Sequence, residues 1–155
     1  MNDIHAATER LGQSIYFFLN QNLDAINWDE KPAVDKWSKK QIIGHLIDSA
    51  QVNLQRFVRC TYEENFKLIY EQEQWVNAQR YQEALISDLL ILWQSLNNQI
   101  IRLLDHYPHD RSTAQCDTGK TTQSLHTVSW LAQDYVDHLN HHLQQIEYGS
   151  RQPIH

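Results

Sequence analysis

The chain has 155 residues, of which 41% are hydrophobic, and its formal net charge at pH 7 is −6. This length and apolar content exclude a disordered chain, and they predict a single domain over residues 1–155. The acidic balance argues against a nucleic-acid-binding surface, because phosphate contacts need clustered Lys and Arg. No apolar run is long enough to span a membrane, and no secretory signal begins the chain. The two cysteines, Cys60 and Cys116, are far apart in the sequence and are expected to be reduced thiols. We therefore expect a cytoplasmic protein that binds neither nucleic acid nor membranes.

The first half of the chain contains two predicted helices. Apolar side chains at helical spacing indicate a first helix over residues 3–25. Ser38 and Gln41 have the spacing of a capping box, so they predict the start of a second helix, which fades near Tyr62. Residues 63–78 are polar and poorly periodic, and we predict a long loop there with at most a helical turn.

The second half contains two more predicted helices. The third is expected over residues 81–106, followed by a polar crossover over 109–120. Thr121 or Thr122 is then expected to cap the fourth helix, which Gly149 ends. No convincing set of strands is present. Four amphipathic helices with two long connections predict an all-α protein, a four-helix bundle.

The fourth helix carries two histidines at the spacing of metal ligands. His138 and His142 are four residues apart, so their rings project from one face of a helix. A buried neutral imidazole needs a partner, and a metal ion is one such partner. Two histidines are too few protein ligands for a transition metal, so a third ligand is expected from elsewhere. His45 on the second helix is the best candidate. The alternatives are partly exposed histidines in the fourth helix and a hydrogen-bonded core histidine at position 45.

Three carboxylates lie close in sequence to these histidines. Asp48 is one turn after His45, Asp134 is one turn before His138, and Asp137 is next to His138. A carboxylate in such a place can orient a metal-bound imidazole, add a fourth ligand or act as a general base. These three are therefore the predicted catalytic residues. For each of them the alternative is an ordinary solvated acid on a helix.

Other sequence signals are weaker. Tyr70 and Trp75 lie in the predicted loop, where they either line a pocket or hold the loop against the bundle. The sequence has no GxGxxG, GxxxxGK[ST], GxSxG or HExxH motif. Dinucleotide, P-loop, serine-hydrolase and zincin chemistry therefore have no support.

Three blocks of the sequence share a pattern with a known family. The blocks are Trp37–Ala50 with Asn53 and Arg56-Phe57, Tyr70–Trp75, and Asp137–Ile146. Together they resemble the DinB-like proteins, and most of all the YfiT branch of metal-dependent hydrolases and bacillithiol-transferase-like proteins. The resemblance covers about residues 10–148 in element order. Its specificity comes from the three blocks together.

This resemblance implies a fold, a metal and a class of reaction. Members are expected to form an up-down-down-up four-helix bundle, often dimeric, with nickel, zinc or a similar divalent ion held by three histidines. The matching positions in this chain are His45, His138 and His142, which is the same trio that spacing suggests. Thiol-S-transfer with low-molecular-weight thiols is among the activities of the family.

The leading hypothesis is a metal-dependent hydrolase or thiol-S-transferase. Its divalent ion, Ni²⁺ or Zn²⁺, activates a water or a thiol that attacks a small electrophilic substrate entering beside the 63–78 loop. The first alternative is a non-catalytic metal-binding or stress-associated helical bundle. The second is a helical interaction module whose histidines bind nothing. A homodimer through the aromatic-rich first and third helices is also expected.

Overall fold

Four long helices form most of the structure. The computed structural model describes residues 3–148. The long helices are α1 (Asp3–Leu19), α2 (Lys39–Arg59), α4 (Ile86–Asp105) and α5 (Val128–Tyr148), and a short helix α3 (Gln72–Gln79) lies between α2 and α4. The predicted four-helix bundle is confirmed. None of the helices within residues 3–148 has both the length and the apolar character that crossing a membrane requires.

The start of α2 follows its sequence signal. The Ser38 side chain accepts a hydrogen bond from the Gln41 backbone N–H (3.1 Å), and the Gln41 side chain accepts one from the Ser38 backbone N–H (2.9 Å). Two donors that the first helical turn leaves open are thereby satisfied. The predicted capping box is confirmed, and it fixes where α2 begins.

Helix α2 is the most deeply buried helix of the bundle. Every residue from Ile42 to Ala50 is buried, including His45 and Asp48. The helix contacts α3, α4 and α5, while α1 packs against α4 and α5. Because the stretch from Ile42 to Ala50 has no solvent face, its polar side chains must find partners inside the protein.

The predicted loop over residues 63–78 is wrong in part, because it contains a strand and most of α3. Strand β1 (Phe66–Lys67) pairs in parallel with β2 (Gln115–Asp117), and β2 pairs antiparallel with β3 (Leu125–Thr127). Strands of two or three residues are too short to show an alternating pattern, so periodicity could not find them. The small sheet ties the segment after α2 to the crossover before α5.

Several predicted helix ends also differ from the structure. The first helix ends at Leu19, and a 3₁₀ turn over Leu23–Ala25 follows it. The helix predicted over residues 81–106 begins only at Ile86, as α4, because a 3₁₀ turn occupies Tyr81–Glu83.

The predicted start of the fourth helix at Thr121 or Thr122 is wrong. Residues 125–127 pair with β2 instead, and α5 begins directly after them. The side chain of Thr127 accepts a hydrogen bond from the Trp130 backbone N–H at 3.1 Å, so Thr127 takes the capping role. Gly149, the predicted end of this helix, lies outside the described residues.

A close approach at Gly44 brings the chain before α4 against α2. A Cβ atom at Gly44 would lie only 2.1 Å from Cδ2 of the Tyr81 ring. Glycine at this position therefore allows the ring to lie flat on α2. The Tyr81 hydroxyl then reaches the Asp48 carboxylate at 2.5 Å. This contact links the packing of α2 to a polar group in its middle.

Replacing Gly44 tests this packing. Gly44→Ala is expected to lower the free energy of unfolding by about 1–3 kcal/mol, because the new methyl group collides with the Tyr81 ring. Gly12→Ala in α1 is the matched control, since no atom lies within 4 Å of the position of its Cβ. The control is expected to raise stability by about 0.5–1 kcal/mol through helix propensity. Urea denaturation measures both, and equal effects of the two substitutions would contradict the packing described.

Candidate metal centre

Three histidine rings from two helices meet inside the bundle. His45 projects from α2, and His138 and His142 project from α5. The Nε2 atom of His138 lies 3.2 Å from Nε2 of His45 and 3.2 Å from Nε2 of His142. One ring nitrogen of each residue lies within 4.8 Å of the other two. The structure therefore brings together the three histidines that the sequence singles out.

Burial keeps these rings neutral. Loss of solvent, together with the neighbouring His142 and His138, lowers the pKa of His45 to about 3. Loss of solvent and His138 lower the pKa of His142 to about 4. The pKa of His138 is also lowered, first by burial and then by His141. At neutral pH each ring has one nitrogen with a free lone pair, which is the form that binds a cation.

Gln145 fixes the orientation of the His142 ring. Nδ1 of His142 donates to Oε1 of Gln145 at 2.8 Å, and the amide nitrogen of Gln145 is 3.4 Å from Nε2 of His141. Since an amide oxygen only accepts hydrogen bonds, the His142 proton is on Nδ1 and the Nε2 lone pair points to the cluster. Gln145 is three residues after His142, on the same face of α5, so spacing could have indicated this contact.

Two aromatic residues enclose the His45 ring. The Trp37 ring lies against it with 4.8 Å between centroids, and the Tyr70 hydroxyl is 3.1 Å from His45 Nδ1. The Trp75 ring meets Tyr70 edge-on at 5.8 Å. Tyr70 therefore contacts the cluster and Trp75 contacts Tyr70, which supports the alternative that the pair holds this segment against the bundle. Neither residue lines the cavity beside the cluster. The sequence indicated the pair but not which histidine it meets.

The segment that carries Tyr70 is held by the protein interior. Nη2 of the buried Arg56 donates to the Leu68 carbonyl at 2.7 Å. The Leu68 backbone N–H is 3.4 Å from the Asp117 carbonyl, next to the β1–β2 pairing. The small sheet and Arg56 therefore position the residues that approach the cluster from outside the bundle.

Asp48 lies fully inside the protein near the cluster. Its Oδ1 atom accepts hydrogen bonds from Tyr81 (2.5 Å) and from the Gln79 amide (2.6 Å). Its Oδ2 atom is buried and has no hydrogen-bond partner among residues 3–148. Burial raises the pKa of Asp48, and the two hydrogen bonds oppose that rise. The solvated alternative for this residue is therefore wrong, while a catalytic role stays a prediction.

The two carboxylates of α5 have a different setting. Asp134 and Asp137 are both exposed, and Asp137 forms an ion pair with Arg10 of α1 at 2.5 Å. Partial burial and the neighbouring Asp137 raise the pKa of Asp134. In the described part of the chain, no hydrogen bond joins either carboxylate to the three histidines. Their predicted catalytic roles stay predictions without a contact that supports them.

Two of the three nitrogen separations in the cluster fit a shared divalent cation, and all three nitrogens lie within 4.8 Å of one another. Two imidazole nitrogens bound to one zinc ion at 2.0–2.1 Å in a tetrahedral arrangement are about 3.3 Å apart. Two of the separations in this cluster are 3.2 Å. Hydrogen bonds among the three rings cannot satisfy all three Nε2 atoms. Nε2 of His138 faces both other rings, but a neutral ring nitrogen can donate to or accept from only one of them. A cation is the partner that this donor set favours.

A cavity with several charged side chains in its wall opens beside the cluster. Its volume is about 430 Å³, which is within the range for small-molecule sites. His142 and Gln145 form part of its wall, and Trp37 forms another part. The charged side chains in the wall include Lys39 and Glu30, which lie 3.5 Å apart as an ion pair. A small polar molecule in this cavity would therefore lie next to the histidines.

The lowered histidine pKa values predict acid sensitivity of the metal-free protein. The imidazoles of the unfolded chain bind protons below about pH 6.5, whereas the folded rings of His45 and His142 do so only near pH 3 and 4. The neutral rings therefore cost the fold no stability above pH 6.5. The free energy of unfolding decreases as the pH falls from 6.5 toward 4, because only the unfolded chain takes up protons in that range. Each ring is expected to account for about 2 kcal/mol of the loss between pH 7 and pH 5. Urea denaturation with a chelator at both pH values measures it.

The control for this experiment is the neighbouring exposed histidine. His142→Gln is expected to lose about 2 kcal/mol less than the wild type between the two pH values, since one buried titrating ring is gone. His141→Gln should lose as much as the wild type. If His142→Gln shows the same acid loss as the wild type, the ring is not held in its neutral form by the fold.

One protein-family model and one solved structure are similar to this chain. A family model described as the DinB superfamily matches residues 13–146, which include all three histidines. No curated protein gives a significant match. Among solved structures, YfiT from Bacillus subtilis matches with a TM-score of 0.77 and 21% sequence identity, over 93% of this chain and 82% of that one. YfiT is described as a probable metal-dependent hydrolase with an unusual four-helix bundle topology. At this identity the likeness establishes a common fold.

Proposed function

The chain belongs to the DinB superfamily, and from this premise we propose that it is a single-domain cytoplasmic metal-dependent enzyme. We propose that it acts on a small electrophilic substrate, as a hydrolase or as a thiol-S-transferase. His45, His138 and His142 hold the divalent cation, Ni²⁺ or Zn²⁺, in this proposal. The observation that carries it is the convergence of three neutral imidazoles within 4.8 Å beside a cavity of about 430 Å³.

The donor set favours a catalytic ion over a structural one. Structural zinc sites are usually closed by four protein ligands, whereas catalytic sites have three and an open position. In the described part of the chain the cluster contains three such residues. A divalent ion held there supplies Lewis acidity, which lowers the pKa of a water or a thiol toward neutrality.

The residues around the cluster have distinct tasks in this proposal. Gln145 holds His142 with its lone pair toward the ion. Trp37 lies against the His45 ring and also lines the cavity, so it separates the ion from bulk solvent on that side. The pair of Lys39 and Glu30 gives the cavity wall both signs of charge. This lining supports a polar substrate, and hydrolysis and thiol transfer both need the same activated nucleophile.

The second candidate function is a non-catalytic metal-binding or stress-associated protein. The observation that favours it is that neither Asp134 nor Asp137 is placed as a general base by a hydrogen bond to the cluster in the described residues. In that case the cation only joins α2 to α5. Such a protein binds the ion and gains stability from it, but it does not turn over any substrate.

Metal binding is tested with a matched pair of histidine variants. The wild-type protein, purified without a histidine tag, is expected to bind about one Zn²⁺ or Ni²⁺ per chain by elemental analysis and calorimetry. His142→Ala should lose at least about 100-fold in affinity, because two ligands are left. His141→Ala should bind as the wild type does, since its ring is exposed. Less than about 0.2 metal per chain in the wild type after metal addition contradicts the proposed site.

Catalysis is tested separately with a panel of small electrophiles, assayed with and without low-molecular-weight thiols. Turnover that needs the ion and proceeds without thiol identifies a hydrolase, and turnover that needs both identifies a thiol transferase. His142→Ala is expected to abolish either activity, and His141→Ala to preserve it. Activity that survives in His142→Ala would rule out the metal-dependent mechanism. Metal-dependent stability without any turnover would favour the second candidate function.

We also propose that the protein forms a homodimer through α1 and α4. Exposed apolar residues support this interface: Tyr16 and Phe17 on α1 are 66% and 68% exposed, and Ile91 on α4 is 64% exposed. Isolated large apolar side chains are common on surfaces, but neighbouring ones often mark an interface. Light scattering should give a mass of about twice the chain mass of 18.4 kDa. Phe17→Ser is expected to shift the protein to the monomer, and a monomeric wild type contradicts the interface.

A further inference from the structure

The Asp48 carboxylate has one oxygen without a partner in a fully buried place. Tyr81 and the Gln79 amide both donate to Oδ1, at 2.5 Å and 2.6 Å. Oδ2 receives no hydrogen bond from any residue between 3 and 148, although Asp48 is 0% exposed. A buried carboxylate oxygen without a donor is costly, so such an atom usually has a function or a missing partner. Oδ2 is therefore the open acceptor beside the cluster.

The nearby His45 can bind a cation through Nε2 only in one of its two neutral forms. If its proton is on Nδ1, the Nε2 lone pair is free for the ion. If its proton is on Nε2, the ring turns an N–H toward the cluster and cannot act as a ligand. Nδ1 is 3.1 Å from the Tyr70 hydroxyl. A phenol can either donate or accept at this distance, so this contact alone allows both forms.

We propose that Tyr70 and Asp48 are positioning residues that set the proton of His45 through a hydrogen-bond relay. Nδ1–H of His45 donates to the Tyr70 hydroxyl oxygen, and the Tyr70 hydroxyl donates toward the open Oδ2 of Asp48, directly after a small shift or through one water. The carboxylate only accepts, so the relay runs in one direction and leaves the Nε2 lone pair of His45 for the ion. This inference rests on the proposed metal site.

The structure supports the relay at Asp48 and at Tyr70. Asp48 follows His45 by one turn of α2, and burial together with the charge of Asp48 raises the pKa of the Tyr70 phenol. Oδ1 is already used by two donors, which hold the carboxylate in a fixed orientation. In the middle of the relay, Tyr70 is kept in place by Trp75 and by the Arg56 contact to Leu68. Every group in the relay is thus fixed by a contact outside it.

The decisive variant is Asp48→Asn, because it replaces a hydrogen-bond acceptor by a donor without changing the size or shape of the side chain. Its amide oxygen can replace Oδ1 as the acceptor for Tyr81 and Gln79, and its NH₂ group then takes the place of Oδ2. That group donates to Tyr70, so the phenol donates to Nδ1 of His45 and the His45 proton moves to Nε2. We expect the affinity for Zn²⁺ to fall by about 10–100-fold, the range typical of lost outer-sphere partners.

Tyr70→Phe and the double variant separate the relay from simple charge loss. Tyr70→Phe removes the link and is expected to weaken Zn²⁺ binding by about 10-fold. In the Tyr70→Phe background, Asp48→Asn should then have little further effect, because no relay remains to reverse. If Asp48→Asn has the same effect in both backgrounds, its effect is electrostatic and the relay is overturned. Asp105→Asn, at an exposed carboxylate on α4, is the control and should change affinity by less than 3-fold.

Nitrogen NMR of the His45 ring gives a readout that does not depend on the metal. In the metal-free wild type we expect the proton on Nδ1, and in Asp48→Asn on Nε2. A purely structural role of Asp48 would change the thermal midpoint without changing this assignment. If the wild type binds no Zn²⁺ but shows the expected proton positions, the proposed function fails while the relay stands. A His45 proton on Nε2 in the wild type, or unchanged in Asp48→Asn, overturns the relay.

Discussion

The central constraint on this structure is the placement of three uncharged imidazoles next to one another inside a helical bundle. Burial makes protonation of these rings unfavourable, and each neutral ring then offers one lone pair and one N–H. The two separations of 3.2 Å at His138 bring more nitrogens together than hydrogen bonds among them can satisfy. A shared cation would resolve this conflict, and Gln145 keeps the His142 lone pair directed toward the cluster.

The rest of the fold supports this arrangement from two sides. Inside the bundle, α2 and α5 contribute the rings, and Gly44 lets Tyr81 pack closely enough to hold the carboxylate of Asp48. On the outer side, the small sheet and Arg56 hold the segment that brings Tyr70 to His45. Residues far apart in the sequence thus meet around one imidazole, an arrangement that resembles the outer hydrogen bonds of known metal sites.

Much of the site was predictable because it follows helical spacing. The interval between His138 and His142, and the apolar residues around His45, place the rings on inward faces of two helices, as the structure shows. The capping box at Ser38 likewise fixes the start of α2. What sequence could not provide is the pairing between distant segments. Strands of two or three residues are too short to show a periodic pattern. For this reason β1 lies in a segment predicted as a loop, and β3 occupies residues that were expected to be in the last helix. The contact between Tyr70 and His45 depends on that pairing.

The most direct test of this account is a crystal structure of the protein grown with Zn²⁺, with diffraction data collected on both sides of the zinc absorption edge. The account predicts one strong anomalous peak per chain within about 2.0–2.2 Å of Nε2 of His45, His138 and His142. Anomalous peaks found only at surface residues such as His141, with no ion between the rings of His45, His138 and His142, would contradict it.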